Sequence, residues 1–198
     1  MKKVIIVLIL GAFVACDKQQ TISTDGGMVP MIPAAAQLEP YDDGSGLVRV
    51  TTYATEGNVL EQGDYLNNMR EGIYTEFHPN GYVKTTVGYV HGKMQGQLVS
   101  LDNRGQLLER STYHNDVLHG SYVKYNRSRI KETKEYVNGR VSGLVEKFYA
   151  NGKVMERSNY TDGMMDGVAK WYDQQGNLTI EYTYKMGELV EDNSASPE

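Results

Sequence analysis

Tyr65, Tyr89, Tyr113, Tyr136, Tyr160 and Tyr184 lie 24, 24, 23, 24 and 24 residues apart, and Gly72, Gly96, Gly120, Gly143 and Gly167 keep the same beat. A fixed period of this length leaves a chain few ways to fold. Each unit is one supersecondary element that buries its apolar surface only against its neighbours, and the array they build is extended. Surfaces of that kind are suited to binding more than to catalysis.

Counted from the ladder glycine, the units run 48 to 71, 72 to 95, 96 to 119, 120 to 142, 143 to 166 and 167 to 190, with Val48 standing where the first glycine would be. Tyr53, Phe77, Leu101, Tyr125, Phe148 and Tyr172 share one place in the unit, and Gly57, Gly81, Gly105, Gly152 and Gly176 another, preceded by turn formers such as Pro79-Asn80. Each unit therefore reads as strand, glycine turn, and strand ending on the ladder tyrosine. A second turn, as in Asn138-Gly139 or Asp162-Gly163, leads to the next unit.

Residue complementarity predicts the register. If Lys124 faces Glu132, then Lys147 faces Glu156 and Trp171 faces Ile180, so two apolar residues meet where other units place opposite charges. One step along, Glu146 faces Arg157 and Lys170 faces Glu181. At the next pair sizes trade: Tyr74 faces Val87 and Ala169 faces Tyr182.

Unit four departs from the pattern. It lacks one residue and the turn glycine, and Lys124, Arg127, Arg129, Lys131 and Lys134 make it the one locally basic unit. Arg127 and Arg129 are therefore candidate partner contacts, with a solvated hairpin tip as the competing reading.

The residues do not converge on catalytic chemistry. His78, His91, His114 and His119 fall at different places in their units, so the repeat stacks no ligand set, and no metal or cofactor is expected. Glu61, Glu109, Glu132 and Glu156 recur at one place, but a sheet offers no pocket-forming element for a carboxylate pair, which favours a structural role. No G-x-S-x-G, H-E-x-x-H or phosphate-cradling motif is present. The expectation is a protein that is not an enzyme.

The first fifteen residues read as an export signal: Lys2 and Lys3, an apolar run from Val4 to Leu10 too short to span a bilayer, and a small-residue end. Phe13-Val14-Ala15-Cys16 resembles a bacterial lipobox, with Phe13 where Leu is usual. That resemblance implies cleavage before Cys16 and its acylation; ordinary secretion and a buried structural cysteine are the alternatives. Cys16 is the one cysteine, so no internal disulfide is available. The chain carries a net charge of −5, and −7 once Lys2 and Lys3 are gone, which argues against nucleic acid as a partner and against adhesion to anionic headgroups other than through the anchor. Residues 16 to 46 read as a flexible tether, 47 to 190 as the repeat domain and 191 to 198 as a disordered tail.

The pattern of Gly143-Leu144-Val145-Glu146-Lys147-Phe148-Tyr149-Ala150-Asn151-Gly152 and of Asn159-Tyr160-Thr161-Asp162-Gly163-Met164-Met165-Asp166-Gly167 resembles the MORN-repeat variant family over about 48 to 190. The resemblance implies an all-β fold, an elongated single-layer antiparallel sheet of six tandem hairpins of about 24 residues each. Many bacterial members are labelled antitoxin-like, and related repeats have been proposed to bind lipid or scaffold proteins. The expected function is a lipid-anchored interaction or scaffold protein of the bacterial cell envelope, on the inner or outer membrane and facing the periplasm. Its expected partner is a protein or an envelope glycan. An antitoxin-like or immunity role is the first alternative, and a glycan-acting enzyme built on an aromatic face the second. The candidate contact residues are Tyr65, Tyr89, Tyr113, Tyr136, Tyr160, Tyr184, Trp171, Arg127 and Arg129, with Cys16 as the lipidation site. The tyrosines are also expected to pack on the ladder glycines, a structural role.

Overall fold

The computed structural model describes residues 32–192. Cys16, the expected signal segment and the first half of the expected tether lie outside the described residues, as does the tail from residue 193 onward.

The strands, in chain order, are β1 (Gln37–Pro40), β2 (Val48–Tyr53), β3 (Val59–Leu66), β4 (Met69–Phe77), β5 (Val83–Val90), β6 (Lys93–Leu101), β7 (Leu107–His114) and β8 (Val117–Asn126). They continue with β9 (Arg129–Val137), β10 (Arg140–Val141), β11 (Gly143–Phe148), β12 (Val154–Thr161), β13 (Met164–Met165), β14 (Gly167–Tyr172), β15 (Leu178–Lys185) and β16 (Glu188–Asp192). All belong to one open, elongated antiparallel sheet in which spatial order follows chain order. The two-residue strands β10 and β13 extend β11 and β14 across a break in the ladder and pair back to β9 and β12. The sheet thus consists of six hairpins, β2–β3, β4–β5, β6–β7, β8–β9, β11–β12 and β14–β15, with one further strand at each edge.

The predicted register holds at every pair: Lys124 opposite Glu132, Lys147 opposite Glu156, Trp171 opposite Ile180, Glu146 opposite Arg157, Lys170 opposite Glu181, Tyr74 opposite Val87 and Ala169 opposite Tyr182. In every hairpin the register slips by one residue just before the tip, so Leu60, Lys84, Leu108, Lys131, Met155 and Thr179 are bulged. The turns between units are two-residue turns whose central residues both have positive φ, as in Asn138 (49°) and Gly139 (79°), or Asp162 (50°) and Gly163 (85°). That type I′ geometry matches the right-handed twist of the flanking strands.

Unit four's missing residue has a direct consequence. Other tips are longer loops in which, for example, His78 N–H donates to Tyr82 C=O and Gly81 N–H to His78 C=O, both at 2.8 Å. In unit four Asn126 pairs with Arg129, and Arg127 (φ 50°) with Ser128 (φ 61°) makes a two-residue turn. One residue fewer selects the shorter turn, and no glycine is then required at the usual place.

Two boundaries move. The expected tether is already strand at Gln37–Pro40, which pairs with β2 from Gln37 opposite Thr51 to Pro40 opposite Val48. The sequence hides this because all four β1 side chains are exposed, so no apolar alternation marks the strand, and Pro40 is tolerated where a strand needs hydrogen bonds on one side only. At the other end β16 runs to Asp192, two residues into the expected tail.

The sheet has two unlike faces. Paired residues on one face form a central row of traded sizes: Val50 and Gly63, Tyr74 and Val87, Leu98 and Ser111, Tyr122 and Lys134, Val145 and Ser158, Ala169 and Tyr182. The Tyr74 ring lies so close over Gly63 that a Cβ there would come within 2.7 Å of Cδ2. Val50, Tyr74, Val87, Ser111, Val145, Ser158 and Ala169 are buried, so this row is the nearest thing to a core. The opposite face carries hydroxyl and charged pairs, such as Gln62 with Thr51 (3.2 Å), Thr75 with Thr86 (3.4 Å), Lys170 with Glu181 (3.0 Å) and Arg157 with Glu146 (2.7 Å). One packed and one solvated face is usual for antiparallel sheets. Here no second layer covers the apolar one, since every strand among the described residues belongs to the same sheet.

Candidate interaction surface

The six ladder tyrosines stand on the face of the central row. Within its hairpin each lies opposite the ladder glycine, or Val48 in unit one. Across the junction to the next unit the partners are Arg70, Met94, Leu118, Val141, Met165 and Leu189. An aromatic and apolar stripe therefore runs the length of the sheet. Ring contacts tie it to the central row: Tyr74 to Tyr89 at 6.0 Å and 86°, Tyr122 to Tyr136 at 5.8 Å, and Tyr182 to Tyr184 at 6.4 Å.

Tyr65 is buried, while Tyr89, Tyr113, Tyr136, Tyr160 and Tyr184 are half-buried. The expected packing of tyrosine on glycine is corrected by the geometry. A Cβ at Gly72, Gly96 or Gly143 would meet nothing within 4 Å, so no ring occupies that space. The backbone is what asks for glycine: φ is 72° at Gly72, where the β3–β4 register shifts, a conformation that side chains with a Cβ resist.

Arg70 takes the place that holds Met, Leu or Val in the other units. Its guanidinium stacks on Tyr74 (3.7 Å to the ring centroid) and donates to the hydroxyls of Tyr65 (Nε, 3.2 Å) and Tyr89 (Nη1, 3.0 Å). The repeat alignment shows Arg70 standing where other units place Met94, Leu118, Met165 and Leu189, but not the three tyrosines it engages, which only the junction pairing brings together.

The recurrent carboxylates each engage a neighbour. Glu109 accepts from Ser111 Oγ (3.1 Å) and Tyr122 OH (3.1 Å); Glu156 accepts from Lys147 Nζ (2.8 Å) and Ser158 Oγ (3.2 Å); Glu132 pairs with Lys134 (3.1 Å). The hydrogen bond to Glu156 pushes the Lys147 ammonium pKa up. Burial raises the phenol pKa values of Tyr74 and Tyr122, assisted by Glu61 and Glu109 respectively. These shifts hold the tyrosines neutral and the lysine charged, which is the chemistry of structural pairing. His114 and His119 lie with ring centroids 6.2 Å apart, but among the described residues no group of three His, Cys, Asp or Glu is placed to hold a metal ion.

Trp171 is on the tyrosine face and half-buried, opposite Ile180 and across the junction from Glu156, with its ring 5.6 Å from Tyr182. Trp171, Tyr182 and Tyr184 thus form an aromatic cluster near the C-terminal edge. Arg127 and Arg129 are separate from it, exposed at the β8–β9 tip, where Arg129 Nη1 donates to Ala150 C=O of the next unit (3.0 Å). The sequence identifies these two arginines as a basic tip; that unit five forms the facing wall depends on how successive tips lace together.

With the hairpins in place, comparison with known proteins is direct. Residues 142–162 and 165–186 match the family model described as MORN repeat variant. The matched stretches contain hairpins β11–β12 and β14–β15, and the four preceding hairpins repeat the same bulge and pairing. No curated protein matches the chain. Among solved structures, the crystal structure of TarM and that of an S. aureus TarM mutant in complex with Fondaparinux, alpha-GlcNAc-glycerol and UDP each align at 13% identity with a TM-score of 0.34. Each alignment covers 50% of this chain and 20% of that chain, so this chain spans about a fifth of their length.

Proposed function

We propose that this chain is a non-enzymatic interaction module of the bacterial cell envelope, held to a membrane through an acylated Cys16 and capturing a partner on its tyrosine face. The observation that carries the reading is the unlike pair of faces on a single-layer sheet. One face carries mostly hydroxyl and charge pairs; the other carries the tyrosine stripe along its whole length, beside a narrower row of ion pairs such as Lys147 with Glu156, and no layer covers it among the described residues. Half-exposed tyrosine and tryptophan combine large contact area with few rotatable bonds, which makes them effective anchors in recognition. The anchor is supported by Lys2 and Lys3, the short apolar run and the lipobox-like end at Cys16. Acyl chains on that residue would give durable attachment, since each buried CH₂ contributes about 0.8 kcal/mol.

Affinity capture from envelope extracts beside thermal melting tests this reading. Trp171→Ala should lose the partner while the sheet still melts cooperatively, and Arg157→Ala on the opposite face should retain it. Cys16→Ser should move the protein out of the membrane fraction. Loss of capture from the Arg157 variant alone, or an unchanged membrane fraction for the Cys16 variant, would refute the corresponding half.

A further inference from the structure

Two depressions lie between units four and five. One, of about 290 Å³, is on the tyrosine face; the other, of about 410 Å³, lies at the hairpin tip. Lys131 and Phe148 line both, so the two join into one trough. Its charge opposes that of the chain, which is −5 overall. Lys124, Arg127, Arg129, Lys131 and Lys147 line it against the single carboxylate of Glu132.

Of these cations, local ion pairing engages Lys147 alone. Glu132 is bonded to Lys134 and Lys147 to Glu156, and among the described residues Lys124, Arg127, Arg129 and Lys131 make no ion pair. Arg129 is also held in place by its bond to Ala150 C=O, which leaves its other N–H groups to donate outward. Between the cations the walls are apolar: Ile130 is 46% exposed, with Phe148 and Met155 beside it.

We infer that this trough docks an acidic segment of a partner protein in which carboxylates are interleaved with apolar side chains. The inference rests on the reading of the chain as an interaction module and gives that module's partner a chemistry. Cations and apolar surface alternate within one trough. A bare polyanion, such as a phosphodiester polymer, would neutralise the cations and leave Ile130 and Phe148 in water. A purely apolar segment would bury those residues and strand the charges. An extended peptide with a two-residue side-chain period can meet both demands.

Fluorescence anisotropy on the full chain tests this with three probes: a short peptide alternating Glu and Leu, one alternating Glu and Ser, and inorganic polyphosphate. The Glu/Leu peptide should bind, about tenfold more tightly than the Glu/Ser peptide, and the binding should weaken as salt is raised. Arg127→Glu combined with Lys131→Glu should weaken it by about tenfold or more with an unchanged melting curve, since both side chains are exposed and neither is tied to another unit by a hydrogen bond or ion pair among the described residues. Polyphosphate binding as tight as the Glu/Leu peptide would make the trough a general polyanion site and overturn the inference. Equal binding by the charge-reversed variant would also overturn it. If the peptide fails while Trp171-dependent capture persists, the trough is wrong and the interaction module stands; if both fail, the module falls as well.

Discussion

Glu156 shows how one side chain can serve both stability and surface. The residue is 6% exposed, and its carboxylate accepts from Lys147 and from the hydroxyl of the fully buried Ser158. Replacing it with Ala leaves that hydroxyl without its acceptor, a desolvation cost of about 1 to 3 kcal/mol. Glu156→Gln keeps an acceptor oxygen and should cost less. Chemical denaturation of the two variants checks this; an alanine variant as stable as the parent would show that the serine has another partner. Charge complementarity of Lys147 with Glu156 is legible in the sequence because both belong to a repeated pair. Arg70 is not legible in the same way, since its partners Tyr65, Tyr74 and Tyr89 come from two hairpins and only the junction pairing brings them together.

At the scale of the hairpin, the two turns obey different rules. The turns between units demand positive φ at both central residues, and the chain meets that demand with Asn, Asp and Gly except for His91 (φ 50°) at the second turn and Met186 (φ 49°) at the last. A side chain with no local hydrogen bond to offer is strained there. Met186→Asn should therefore raise stability by about 0.5 to 1 kcal/mol, with a higher melting temperature and no change in sheet content. A lower melting temperature would mean that Met186 contributes packing that outweighs the strain. The existence and period of these turns can be read from glycine and asparagine positions. The bulge before each tip cannot, because the bulged residues Leu60, Lys84, Leu108, Lys131, Met155 and Thr179 share no chemistry; only the backbone place is common.

Over the whole molecule, an open sheet has two edges to protect. β16 carries Glu188, Glu191 and Asp192, and β1 carries Glu39 and Pro40, features that discourage edge-to-edge association. Between the edges, period and register follow from the sequence, and so does the sorting of residues by strand parity. The sequence does not announce which parity class is left uncovered, since that depends on no other layer being built. The central claim is that the tyrosine face is the one that meets the partner. Site-specific photo-crosslinking in cells tests it most directly, with the crosslinker placed in separate variants at Ser100 and Thr85 on the tyrosine face and at Gln97 and Thr86 on the opposite face. Ser100 and Thr85 lie directly opposite one another, as do Gln97's neighbour Val99 and Thr86 one step along the same two strands. The account predicts discrete crosslinked products from Ser100 and Thr85 and none from Gln97 and Thr86. Crosslinks of equal yield from both faces, or from Gln97 and Thr86 alone, would contradict it.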